Sequence, residues 1–96
     1  MTRISREVEI VNQRGLHARA SAKFVSAVSE LPEDLRVSVS KDGMDAEGGS
    51  ILGLMMLGAA KGAKVTIIVE AIVEGTNGQD ALEKLCELVI AGFGEE

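Results

Sequence analysis

The order of apolar and polar residues predicts an α+β fold, a two-layer sandwich with elements in the order βαββαβα, and three observations predict it. Residues 4–11, 35–40 and 64–70 alternate apolar and polar side chains with a period of two, as half-buried strands do. Residues 18–31 and 77–91 place their apolar side chains at helical spacing. Breakers and turn formers separate these stretches: Asn12-Gln13-Arg14-Gly15, Pro32, Asp42-Gly43, Gly48-Gly49 and Gly62.

In the first strand Val8 and Ile10 point to a core, and Glu7 and Glu9 to water. The first helix gathers Ser21, Phe24, Val25, Val28 and Leu31 on one stripe, and Pro32 stops it. Leu35, Val37 and Val39 form the inner side of a second strand, opposite Arg36, Ser38 and Ser40. Asp42-Gly43 predicts a tight hairpin, because both positions tolerate a positive φ, and a short third strand follows at 44–47. Ser50 is placed as an N-cap and Gly58 as a C′ stop, which frames a short helix over 51–57. Val65, Ile67 and Val69 mark the fourth strand. Thr76 and Gln79 have the spacing of a capping box. The last helix, 77–91, turns Leu82, Leu85, Cys86 and Val89 inward and ends at Gly92. With no repeat, low-complexity run or linker, residues 1–96 read as a single domain with one core.

Composition narrows the function classes. The chain is 46% hydrophobic and 26% charged, ordinary for a folded domain. Two Phe, with no Trp or Tyr, leave no aromatic platform for stacking bases. Ten basic and fifteen acidic residues give a net charge of −5, which argues against nucleic-acid binding. The single cysteine, Cys86, permits no internal disulfide and no cysteine metal cluster, and points to a reducing compartment; its place on an apolar helix face makes it a small core residue. The first ten residues lack the apolar core of a signal peptide, and no apolar run nears the ~20 residues of a membrane span, so the expected location is the cytoplasm without membrane insertion. The acids Glu33, Asp34, Asp42, Asp45 and Glu47 are scattered in turn regions and read as solvated charge; no metal or cofactor motif is present.

His17, the only histidine, stands where the first strand gives way to the first helix. A helix start offers free N–H groups and a partial positive charge, and both favour an anion. A histidine capping a helix at the surface would occupy the same place without chemistry. Alternatively, the imidazole attacks phosphorus through a free ring nitrogen, and the helix amides with Arg19 then take the added charge. Ser50 is, on local grounds, an N-cap. In the helix after it, Ile51 and Leu54 share one side with Leu57 or Gly58, and Leu52, Met55 and Met56 share another. That second side is either an exposed apolar patch with adaptable methionines or a buried helix face; pattern alone leaves both open.

Gly15-Leu16-His17-Ala18-Arg19 and Gly49-Ser50-Ile51 through Leu57-Gly58 resemble the two motifs of the HPr family, the histidine-containing phosphocarriers of the bacterial phosphoenolpyruvate-dependent phosphotransferase system. The resemblance covers nearly the whole chain. It implies an open-faced two-layer sandwich, a four-stranded antiparallel sheet covered on one face by three helices. It makes His17 the phosphoacceptor, Arg19 the phosphate-neutralising residue and Ser50 a regulatory phosphorylation site served by a serine kinase and phosphatase. Leu52, Met55 and Met56 become partner-docking residues. The implied partners are Enzyme I as donor and an Enzyme IIA-type acceptor, in sugar uptake or the nitrogen-related regulatory branch. The chain is then a monomeric carrier needing no cofactor, and not an enzyme. Two departures stand out: Ala20 replaces the family's usual proline, and the segment 71–78 is longer than its usual link. A non-catalytic α+β regulatory binding module leaves His17 and Arg19 unexplained, and a small hydrolase using His17 lacks a base and its orienting partner.

Overall fold

The computed structural model describes residues 2–95. Its elements are β1 (Arg3–Glu9), α1 (Ala18–Ser29), β2 (Leu35–Lys41), β3 (Met44–Glu47), α2 (Ile51–Met56), β4 (Lys64–Ala71) and α3 (Gln79–Ile90), followed by a 3₁₀ turn at Gly92–Gly94. The four strands form one antiparallel sheet in the order β1-β4-β2-β3. The expected βαββαβα order and open-faced sandwich are what the chain adopts.

Alternation decides which face is covered. Val8 pairs with Val65, Val39 with both Ile67 and Ala46, and Val37 with Val69, and these side chains are buried beneath the helices. The other face is polar apart from Ile68, which lies between Ser5 and Ser38: Glu70 lies between Arg3 and Arg36, and Ser40 lies between Thr66 and Asp45. β4 pairs on both sides, and so it carries the longest buried run, Ile67, Ile68 and Val69.

The hairpin is as expected, with φ of 51° at Asp42 and 82° at Gly43. α1 stops two residues short of the expected end. Glu30 and Leu31 donate to the carbonyls three residues back, at 3.2 and 3.1 Å, so the last turn tightens before Pro32. The inward residues of α3 (Leu82, Leu85, Cys86 and Val89) are all buried, and burial pushes the Cys86 thiol pKa up against the opposing influence of Arg6.

The capping box at Thr76 and Gln79 does not form. The Thr76 hydroxyl donates instead to Asp34 Oδ2 at 2.8 Å, and the Gln79 amide side chain donates to Glu83. Asn77 Oδ1 takes the Gln79 backbone N–H at 2.8 Å, so α3 starts at Gln79 rather than Asn77. Spacing permitted the box, but a tertiary acceptor on the β2 side competed for the hydroxyl.

Candidate functional site

Gly15 creates the bend that presents His17. Its φ is +65°, and a Cβ there would lie 2.3 Å from the Ala59 carbonyl oxygen, so backbone passes where a side chain would stand. The Leu16 N–H donates to that same oxygen at 2.9 Å, which ties the bend to the chain leaving α2. His17 follows as the N-cap of α1, in extended conformation. Its Nδ1 accepts from the Arg19 N–H at 3.3 Å, and its carbonyl accepts from the Ser21 N–H at 2.9 Å. Among the described residues, the Ala18 and Ala20 amides donate to no protein atom.

The other ring nitrogen is occupied. Nε2 lies 2.9 Å from Glu95 Oε2 and 3.1 Å from Oε1, with the two side chains only 18% and 15% exposed. Asn12 Nδ2 donates to Glu95 Oε1 at 3.0 Å and to the Gly15 carbonyl at 2.8 Å. A carboxylate only accepts, so Nε2 carries the proton and Nδ1 the lone pair. Partial burial opposes ionisation of Glu95, but hydrogen bonds from Asn12 and His17, with the positive charge of Lys23, outweigh it and hold its pKa below the ordinary 4.5. The contact therefore stabilises the fold above that value and is lost as pH falls through the depressed pKa.

Arg14, Arg19 and Lys23 line a shallow pocket that Gly94 and Glu95 close on one side. Arg19 is exposed, as expected. The pocket's three cations surround the Glu95 carboxylate; His17 does not line this pocket, and Lys23 Nζ donates to the Phe93 carbonyl at 2.7 Å. Arg14 also borders a second depression, with Leu16, His17, Met55, Gly58, Ala59 and Ala60, so Met55 shares a rim with His17. Leu52 and Met56 are 68% and 64% exposed on the outer side of α2, away from that rim. The buried alternative for this side of α2 is thus ruled out. Ile51 departs from expectation: it shares a side with Leu54 by spacing, yet it is exposed, at the first position of a helix only six residues long. Ser50 caps α2, its Oγ accepting from the Gly53 N–H at 2.9 Å. It lies at the end of α2 remote from His17, roughly 9 Å along the helix.

Sequence reasoning missed Asn12, Lys23 and Glu95. Asn12 reads as a turn residue, and no local pattern links residues 78 positions apart. Phe93 was the available signal: one of two aromatics, placed just past the helix-ending Gly92, it is buried and anchors the segment that carries Glu95.

No helix among the described residues is long and apolar enough to cross a membrane, and no group of three or more His, Cys, Asp or Glu residues could hold a metal ion there. Residues 4–91 match the family model described as the PTS HPr component phosphorylation site. A phosphocarrier protein HPr of Neisseria meningitidis is 39% identical over 96% of this chain and 97% of its own length. A phosphocarrier protein NPr of Shewanella violacea is 36% identical over 99% and 98%. The crystal structure of an HPr from Bacillus anthracis superposes with a TM-score of 0.80 at 29% identity, covering 93% of this chain and 99% of that one. Agreement of motif, full-length sequence and fold leads to one conclusion: this chain belongs to the HPr family of the phosphotransferase system, whose members are phosphocarrier proteins and not enzymes.

Proposed function

We propose that this phosphocarrier accepts a phosphoryl group on Nδ1 of His17 from phosphorylated Enzyme I and passes it to a histidine of an Enzyme IIA-type acceptor. The observation that carries this reading is the position of Nδ1. It is the unprotonated ring nitrogen, and it faces the start of α1, where the Ala18 and Ala20 amides have no acceptor. When phosphate occupies Nδ1, the Arg19 N–H loses its ring acceptor and joins those amides in facing phosphate oxygens. The Arg19 side chain, with Arg14 bordering the depression beside His17, supplies positive charge.

Met55, Leu52 and Met56 fit a partner-docking surface because they form an exposed apolar side of α2 that begins at the rim of His17. Ser50 fits a regulatory phosphorylation site for a serine kinase and phosphatase: its side chain is partly exposed at the border of that apolar side. A phosphate there would place two negative charges beside the surface that a partner must desolvate. The carrier is taken to work as a cytoplasmic monomer, in sugar uptake or the nitrogen-related branch.

The test is incubation with phosphoenolpyruvate and Enzyme I, followed by intact mass. The wild type should gain one phosphoryl group that is labile in acid and stable in base, and His17→Ala should gain none. A fully labelled His17→Ala protein, or an unlabelled wild type, rejects the assignment.

A further inference from the structure

Neither family motif includes Glu95, yet the segment that carries it is held in an unfavourable conformation and aimed at His17. Phe93 has a φ of 59°, between Gly92 at 66° and Gly94 at 73°, a left-handed run that disfavours an aromatic residue. Burial of the Phe93 ring, 1% exposed, and a 2.7 Å hydrogen bond from Lys23 Nζ to its carbonyl hold that run in place. Asn12 directs both of its amide donations at Gly15 and Glu95, while its Oδ1 is buried without a partner. A left-handed aromatic, a lysine and an unmatched amide thus all act to fix one carboxylate, and that carboxylate meets one nitrogen of His17.

We propose that Glu95 is a positioning residue for phosphoryl transfer, a reading that rests on His17 being the phosphoacceptor. By accepting from Nε2–H it keeps the proton off Nδ1 and holds the ring at a fixed angle to the α1 amides. In the transfer, the Nδ1 lone pair forms the bond to phosphorus as the bond from phosphorus to the donor histidine nitrogen breaks. The donor nitrogen keeps that electron pair. Nε2 retains its proton throughout, so the ring of His17 becomes cationic without losing or gaining a proton. Glu95 faces that developing positive charge at hydrogen-bond distance and stabilises it. On delivery to the acceptor the N–P electron pair returns to Nδ1 and the ring is neutral again. Glu95 contacts the ring at Nε2, the nitrogen that does not take the phosphoryl group.

Glu95→Gln and Glu95→Ala separate a charge that acts on the ring from a contact that merely tidies the chain. Gln retains shape and an acceptor oxygen but carries no charge. Two readouts are needed: imidazole ¹⁵N NMR of the unphosphorylated protein for the proton position, and rapid-quench transfer from phosphorylated Enzyme I at saturating donor. The wild type should show the Nε2–H tautomer. Glu95→Gln should keep that tautomer yet transfer roughly five- to tenfold more slowly, since a charge-assisted hydrogen bond is about twice as strong as a neutral one. Glu95→Ala should show a mixed tautomer and slower transfer still. Wild-type rates and tautomer in Glu95→Ala overturn the proposal, as does a Glu95→Gln that transfers at the wild-type rate while Glu95→Ala is slow, because the contact is then structural only. A wild type unlabelled at His17 overturns the phosphoacceptor reading as well, whereas a labelled wild type with indifferent variants overturns only the role of Glu95.

Discussion

The starts of α1 and α2 are built alike. In each, a residue in extended conformation caps the helix with its side chain: His17 Nδ1 takes the N–H two residues on at 3.3 Å, and Ser50 Oγ takes the N–H three residues on at 2.9 Å. Their surroundings differ. His17 has a second polar atom, and Glu95 holds it from behind while Arg14, Arg19 and Lys23 stand around the neighbouring pocket. Ser50 has one oxygen and borders the exposed apolar residues Ile51 and Leu52. A capping interaction by itself therefore says little about chemistry. What distinguishes the proposed phosphoryl acceptor from a plain cap is that the rest of its side chain is also organised.

A steric contrast separates the glycine before α1 from the glycine after α2. Gly15 and Gly58 have nearly the same φ, 65° and 66°, but a Cβ at Gly15 meets the Ala59 carbonyl oxygen at 2.3 Å and one at Gly58 meets nothing within 4 Å. Gly15→Ala should cost about 2–4 kcal/mol and displace His17, while Gly58→Ala should cost only about 1 kcal/mol of backbone strain. Urea unfolding of both variants checks this; equal losses would mean that the bend before His17 is not held against the 59–60 segment.

Next in size is the cationic pocket. Arg19→Ala should slow transfer in at least one direction by about 1.5–3 kcal/mol in barrier, the worth of a charge-assisted hydrogen bond. Its exposure predicts a stability change below ~0.5 kcal/mol. Rates to and from phosphohistidine, measured beside thermal unfolding, separate the two quantities, and unchanged rates both ways would leave Arg14 to carry the charge.

At the α2 start the effect should appear in association and not in chemistry. Ser50→Ala should lose about 1 kcal/mol of stability with its cap, and Ser50→Asp should retain the cap and most of that stability. If α2 docks the donor, Ser50→Asp should raise the apparent KM for the carrier with Enzyme I and leave the saturated rate alone. An unaltered KM in a folded Ser50→Asp protein would reduce Ser50 to a cap, unless enzymatically phosphorylated protein does dock poorly.

The smallest expected effect is Ala20→Pro. The Ala20 N–H has no acceptor and lies within the first turn, so proline removes no hydrogen bond, and a stiffer unfolded chain favours folding. The methyl group is fully buried, so the ring must fit into packed surroundings. We expect a net change within ~1 kcal/mol by denaturant titration; a loss of several would show that packing around Ala20 has closed over the smaller side chain.

Much of this was legible from the chain. The β2–β3 hairpin follows from Asp42-Gly43, and the Ser50 cap follows from a serine before an apolar run, because in both cases the partner atoms lie within three residues. His17 and Arg19 were legible for the same reason, as neighbours at a helix start. Thr76 misled, since its spacing to Gln79 suits a cap but Asp34, 42 positions away, is the better acceptor in the folded chain. The exposure of Leu52, Met55 and Met56 was undecided from pattern, because a six-residue helix with five large apolar side chains has no polar side to orient it.

The sequence by itself determined what is local: strand alternation, helix starts and stops, the hairpin, and the two motifs that place a histidine and a serine at helix caps. Tertiary structure alone decided that β4 lies between β1 and β2, that the outer side of α2 stays bare, and that Glu95 closes on His17. The physical reason is one of range. A cap or a turn is set by torsion preferences and hydrogen bonds within one turn of chain. The Glu95–His17 contact depends instead on how α3 lies on the sheet, on Phe93 entering the core, and on Lys23 and Asn12 meeting the chain that leaves it. Such a contact forms only when the whole domain has packed.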